Sequence, residues 1–170
     1  AQPCCAALTP RILMHTSLPL AAGLGLRSPH IQSVLAEKPQ VAWWEVHSEN
    51  YFGGGAPAAA LERLRADYPI SLHGVGMGLG SPAALDETHL SQLKTLVERI
   101  APNAISEHLS WNRLNGRVYA DLLPVPRVEG VIALLSEHIQ RVQEVLKRPI
   151  LIENVSSYIQ FSGEKYLESE

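Results

Sequence analysis

The chain has 170 residues, of which 46% are hydrophobic, a composition typical of a globular protein with one buried core. Its 14 Lys and Arg residues and 17 Asp and Glu residues give a formal net charge of -3, and no basic block occurs. Nucleic acid is therefore not an expected partner. The longest apolar run, residues 18–26, is about half of the roughly 20 residues that a membrane span requires, so no membrane segment is predicted.

The N-terminal segment lacks the features of a signal peptide. It begins without Met and has no basic stretch before its apolar residues, so we expect a cytoplasmic protein. Cys4 and Cys5 are adjacent and are the only two cysteines, which excludes a disulfide framework. Residues 1–17 are interpreted as a disordered tail, with Met14 as a candidate natural start, and residues 18–170 as a single domain.

Short apolar segments alternate with helical patterns along the rest of the chain. Strands are predicted at residues 22–27, 41–46, 69–74, 104–109 and 149–154. Helices are predicted at residues 28–38, 56–68, 85–100 and 129–148. This alternation predicts an α/β fold in which helices cover a parallel sheet.

Acidic residues and histidines gather where these strands end. The second strand runs into "WWEVHSENYFGGG", which contains several ligand-type side chains within a few residues. Parallel strands place their functional groups at their carboxyl ends, so we predict a ring of ligands at one end of the sheet. The residues at the strand ends are Arg27, Glu45, His47, Glu49, Asn50, His73, Glu107, His108, Glu153 and Asn154.

Imidazole and carboxylate side chains together favour Fe(II), Mn(II) or Zn(II) over metals that prefer thiolates. Glu153 lies in the apolar segment "ILIENV", where a carboxylate is costly without a cation, so it is the strongest ligand candidate; a buried pair with an arginine is the alternative. His73, before the glycine-rich "GVGMGLG", and His108 are also predicted ligands, with buried structural histidines as the alternative. Strand alternation puts Ser106 and His108 on one face and Glu107 on the other, where both a salt bridge and a site role remain open.

The remaining polar residues are less well determined. Glu45, His47 and Glu49 share one face if the second strand continues, and we expect one or two of them to reach the site. The others, with Asn50, Glu107 and Asn154, would support the ligands or contact the substrate. His30 is left open as a residue that could face the site. The histidines in helical patterns or near the N-terminus are interpreted as solvated, namely His15, His89 and His138.

Six segments of the chain, in this order, resemble a known protein family. They are "GLGLR", "WWEVHSENYF", "SLHGVGMGLGSP", "ISEHLSW", "DLLPVP" and "LIENVSSYIQF". Together they resemble the multinuclear non-haem iron-dependent oxidative enzymes, the family of the iron subunit of methanobactin biosynthesis, over residues 18–162. The resemblance implies a TIM-type (β/α)8 barrel that holds two or three iron ions. Such enzymes use O2 to modify residues, often cysteines, of a ribosomally made precursor peptide.

The resemblance also implies roles for individual residues. His73 and His108 correspond to ligands of one iron, and Glu153 to a ligand that can be shared between irons. Glu49 and Asn50 match a family signature near the pocket. A small partner protein that recognises the leader of the precursor peptide is implied as well.

The chain is short for such a barrel, which needs roughly 250 residues. It covers about the first five βα units, so we expect a fragment, or a half-barrel that another chain completes, as in a dimer. Two other functions stay open. One is a different divalent-metal barrel enzyme, similar to sugar isomerases or metal-dependent endonucleases, that uses Mn(II), Mg(II) or Zn(II) without O2. The other is an inactive fragment or binding module.

Overall fold

A computed structural model describes residues 17–165 as a mixed α/β fold with a curled half-barrel sheet. The strands are β1 (Leu24–Gly25), β2 (Trp44–His47), β3 (Ile70–Gly74), β4 (Ala104–Leu114), β5 (Arg117–Pro124) and β6 (Leu151–Asn154). The helices are α1 (Ile31–Glu37), α2 (Gly55–Asp67), α3 (Glu87–Ile100) and α4 (Val131–Leu146). Short 3-10 turns at Ser28–His30 and Ser48–Tyr51 follow the first two strands.

The five predicted strands form the parallel part of the sheet. They lie in the order β1-β2-β3-β4, and β6 pairs with β4. Helices connect successive parallel strands, as the alternating pattern predicts, because a parallel pair requires a long crossover connection. The (β/α) organisation expected from the sequence is therefore present as a half-barrel.

An antiparallel hairpin adds to this sheet and was not predicted. β4 continues beyond its parallel part and pairs with β5 from Ser110↔Pro124 to Leu114↔Arg117. Asn115 and Gly116 connect the two strands with positive φ angles of 51° and 73°, the backbone twist that tight hairpins favour. The hairpin extends past the carboxyl ends of the parallel strands.

One face of the sheet forms the hydrophobic core with the helices. Val46, Leu72 and Ile105 are side by side in the register of β2, β3 and β4, and all three are buried. The predicted apolar stripe of α3 packs here, with Leu90, Leu93, Val97 and Ile100 buried. Because side chains alternate along a strand, residues one position away from the core set point to the opposite face of the sheet.

Three helices end on residues other than glycine in the left-handed conformation. Lys38 after α1, Ala101 after α3 and Lys147 after α4 have φ angles of 46°, 47° and 56°. Each precedes the loop that leads to the start of the next parallel strand. They therefore lie at the amino ends of the strands, opposite the polar strand ends.

The structural description covers only part of the predicted tail. Cys4, Cys5, Met14 and His15 lie outside the described residues. Within residues 17–165, no helix has the length and apolar character needed to cross a bilayer.

Candidate metal centre

The three predicted ligands His73, His108 and Glu153 come together on the face of the sheet opposite the helices. His73 is in register with Ser106 of β4, and His108, two residues further along, is in register with Glu153 of β6. The parallel register thus brings the carboxyl ends of three strands to one place. The structure therefore brings these three side chains together.

The donor atoms of these residues face one another. His73 Nε2 and His108 Nε2 are 3.3 Å apart. Glu153 Oε2 lies 3.5 Å from His73 Nε2, and Glu153 Oε1 lies 3.8 Å from His108 Nε2. A cation bound at about 2.0–2.2 Å separates neighbouring donors by roughly 3–3.6 Å, so the cluster fits one divalent ion after small side-chain adjustments.

Hydrogen bonds to the other ring nitrogens orient both histidines. His108 Nδ1 donates to the Gly74 carbonyl oxygen at 3.2 Å, and this oxygen can only accept. The neutral His108 ring therefore has its free electron pair on Nε2, the atom that faces the cluster. His73 Nδ1 lies 2.7 Å from Ser106 Oγ, which holds the second ring in the same way.

The electrostatic environment keeps His73 in the form that binds metals. Burial lowers the pKa of His73, and the nearby His108 lowers it further, while Glu45 and Glu153 act in the opposite direction. A depressed pKa favours the neutral imidazole, which is the ligating form. Both histidines are buried, whereas the Glu153 side chain is 57% exposed, so the cluster is open on one side.

Glu45 and His47 lie on the same face as this cluster. His47 is in register with His73, and the centroids of their rings are 5.8 Å apart. Glu45 is close enough to influence the charge of His73. Both residues are half-buried and border the cluster on the β2 side.

Glu49 and Glu107, which the sequence places among the candidate residues of this site, lie elsewhere. β2 ends at His47, and the following 3-10 turn directs Glu49 away from the face that His47 occupies. Glu107 points to the helix side of β4, as alternation predicts. Asn50 and Asn154 are exposed.

A second cluster forms on the helix side from Glu49, Glu107 and His89 of α3. One potential ligand atom from each residue lies within 4.8 Å of the others. Glu49 Oε1 accepts hydrogen bonds from the backbone N–H groups of Val75 and Gly76, both at 2.8 Å. His89 Nε2 is 3.5 Å from the same oxygen.

The two carboxyl groups of this cluster differ in their proton affinity. Burial raises the pKa of Glu107 well above its ordinary value, and Glu49 raises it further. Burial also acts to raise the pKa of Glu49, but the interactions with His89, Val75 and Gly76 outweigh it, and the pKa of Glu49 is lowered.

The interpretation of His89 and His138 as solvated is wrong. The His89 side chain is only 12% exposed and packs edge-on against Phe52, with ring centroids 5.0 Å apart. His138 is buried, and its Nδ1 donates to the Leu79 carbonyl oxygen at 2.8 Å. His30 is exposed in the first 3-10 turn. His89 precedes the buried Leu93 by four residues, and this helical spacing is the signal that could have identified it.

The fold and its two-histidine, one-glutamate cluster define an α/β protein with a centre able to hold a divalent metal ion. A family model described as "RiPP precursor modification enzyme MbnB/TglH/ChrH" matches residues 21–170, where RiPP denotes a ribosomally synthesised and post-translationally modified peptide. The chain belongs to this family, which confirms the resemblance drawn from the six sequence segments.

Curated relatives agree with this assignment. A UPF0276 protein of Chromobacterium violaceum is 46% identical over 155 residues, which are 91% of this chain and 56% of the relative. A UPF0276 protein of Acaryochloris marina is 49% identical over 140 residues, 82% of this chain and 51% of the relative. The chain therefore spans about half the length of the curated relatives it matches.

Proposed function

We propose that this chain forms part of an iron-dependent enzyme that uses O2 to modify a ribosomally synthesised precursor peptide oxidatively, often at cysteine. The observation that carries the proposal is the donor set of His73, His108 and Glu153, with donor atoms 3.3–3.8 Å apart. Two imidazoles and one carboxylate with open positions are the donor set of non-haem Fe(II) oxygenases. The family description supports peptide modification independently.

In this proposal His73, His108 and Glu153 hold iron, which supplies the capacity to react with O2 when bound. Ser106 and the Gly74 carbonyl keep the imidazole rings in their ligating orientation. The two oxygens of Glu153 face different histidines, so the carboxylate would close the site of an ion held between the two rings.

Glu45 and His47 would serve the same centre from the β2 side. They lie on the face that carries His73, and they can bind a second or third iron or position the substrate. Asn50 and Asn154, which are exposed near the same end of the sheet, remain predicted substrate contacts.

The complete enzyme is proposed to be a (β/α)8 barrel. Leu151 of β6 is 60% exposed although it is apolar. Parallel strands are normally covered, so we expect another element to cover β6 in the complete enzyme. In a protein of the relatives' length, further strands would pack beside β6 and add ligands to the centre. The single domain at residues 18–170, a leader-recognition partner protein, a possible dimer and a cytoplasmic location are parts of this proposal.

The test is elemental analysis of protein purified without oxygen, beside the variants His73→Ala and Glu153→Gln. Bound iron that is lost in both variants would support the proposal, and Glu62→Gln on the exposed face of α2 serves as the matched control. A protein of the relatives' length should also consume O2 with a cysteine-containing precursor peptide, and Glu153→Gln should abolish this consumption. Bound Mn or Zn without O2 consumption would instead favour an isomerase-like or endonuclease-like metal enzyme.

A further inference from the structure

The Glu49, His89 and Glu107 cluster has the character of a second binding site. Its residues come from three separate elements, namely the 3-10 turn after β2, the first turn of α3, and β4. It lies on the helix side of the sheet, whereas His73, His108 and Glu153 lie on the opposite face. Glu107 and His108 are neighbours in sequence, but they point to opposite faces of β4.

Buried atoms in this cluster have no hydrogen-bond partner. Glu107 is 1% exposed, and its Oε1 makes no hydrogen bond within the described part of the chain. The same holds for Glu49 Oε2 and His89 Nε2, the latter lying too far from Glu49 Oε1 for a well-formed bond. A buried polar atom without a partner is costly, and here each of the three side chains contributes one to the same small region.

The carboxyl groups of the cluster also lack a Lys or Arg partner. Two carboxyl groups are buried side by side, and in residues 17–165 neither Glu49 nor Glu107 forms an ion pair with Lys or Arg. The nearby Arg113 contacts Asp86 at 3.2 Å and is therefore engaged elsewhere. A divalent cation would bind the oxygens of both carboxyl groups and accept the lone pair of the imidazole nitrogen.

The glycine-rich segment "GVGMGLG" makes space for this cluster. A Cβ atom at Gly74 would overlap the Glu107 carboxylate, and one at Gly76 would come within 2.7 Å of His89 Cε1 and 3.2 Å of Glu49 Oε1. Two glycines of the segment therefore lie directly against the three side chains. The cluster therefore accounts for Gly74 and Gly76, two of the four glycines in this segment.

We propose that Glu49, His89 and Glu107 bind one divalent metal ion of the class that accepts mixed oxygen and nitrogen ligands, such as Mn2+, Fe2+ or Zn2+. The ligand atoms lie within 4.8 Å of one another. His89 Nε2 and Glu49 Oε1 are 3.5 Å apart, which matches the roughly 3–3.6 Å between neighbouring donors on an ion with bonds of about 2.0–2.2 Å. The ion is structural, because it joins the turn after β2, the start of α3 and β4 on the core side of the sheet. This inference goes beyond the proposed function and does not depend on it.

The test uses a background variant, His73→Ala with Glu153→Gln, that lacks ligands of the first centre. Mn2+ alone is titrated into this protein without oxygen, and free Mn2+ is followed by electron paramagnetic resonance. One Mn2+ ion per chain should bind, and bound Mn2+ should raise the melting temperature, because an ion that binds only the folded state stabilises it.

Substitutions in the second cluster should then remove this binding. His89→Gln at the rim of the cluster and Glu107→Gln, which keeps the side-chain shape, should each weaken Mn2+ binding by about tenfold or more and reduce the thermal shift. Glu62→Gln in the same background should change neither. Two results would overturn the proposal: no Mn2+ uptake by the background variant, or unchanged uptake in whichever cluster variants fold. The first centre can fail its own iron test without affecting either result.

Discussion

Replacing Gly74 with Ala tests the packing between the two clusters. The new methyl group would overlap the carboxylate of Glu107, which is 1% exposed and cannot swing into solvent. Overpacking of this kind costs about 1–3 kcal/mol. For a chain of this size that corresponds to a melting temperature lower by roughly 2–12 °C.

Gly25→Ala provides the matched control. Gly25 also lies in a parallel strand, and a Cβ atom there would have no neighbour within 4 Å. Its effect should stay within about 0.5 kcal/mol. Thermal unfolding followed by circular dichroism compares the two variants, and equal melting temperatures would refute the close approach of Gly74 to Glu107.

A double-mutant cycle separates this contact from a general intolerance of Gly74 to substitution. Glu107→Ala removes the group that the methyl would strike, so Gly74→Ala should cost less in that background, with an interaction energy of about 0.5–3 kcal/mol. Gly74→Ala should also weaken metal binding at the first centre if it moves the backbone, because the Gly74 carbonyl orients His108. Strictly additive costs would show that Glu107 is not the obstacle.

Three further predictions concern single side chains. Ser106→Ala should weaken Mn2+ binding at the first centre by roughly 10–100-fold, because His73 loses its 2.7 Å partner, whereas the exposed Ser91→Ala should have no effect; equal affinities would contradict this. In metal-free protein, the raised pKa of Glu107 means that the folded chain keeps a proton that the unfolded chain releases, so stability should fall as pH rises from 4.5 towards the raised value. Glu107→Gln should flatten this decline in urea unfolding midpoints, and an unchanged slope would argue against it. Asp86→Ala should cost about 0.5–2 kcal/mol in urea unfolding, since the Asp86 carboxylate accepts hydrogen bonds from two backbone N–H groups in the first turn of α3; an unaltered midpoint would exclude the cap.

The parallel part of the fold and the first centre could be predicted from the sequence for the same reason. Buried parallel strands are apolar along their length, so a charged residue such as Glu153 at the end of one stands out. Parallel register then aligns the strand ends, so the sequence alone predicts His73 and His108 close to Glu153.

The hairpin and the second cluster depend on features that apolar periodicity does not capture. Most of β5 is exposed, so it has no buried pattern, and only the Asn115-Gly116 pair signals its turn. The position of Glu49 depends on a 3-10 turn that begins directly after His47, where continued strand alternation gives the wrong face. Its contact with Glu107 then depends on tertiary packing between elements far apart in the chain.

The left-handed residues that end α1, α3 and α4 have a consequence for engineering this protein. Lys38, Ala101 and Lys147 each have a backbone conformation that costs a residue with a side chain roughly 1–2 kcal/mol and costs glycine little. Glycine at these positions would relieve that cost, partly offset by about 0.4–1 kcal/mol from the greater freedom of the unfolded chain. All three residues lie at the amino ends of the strands. Substitutions confined to that end of the sheet can therefore raise the melting temperature of the protein, while the end that carries the ligands keeps its native sequence.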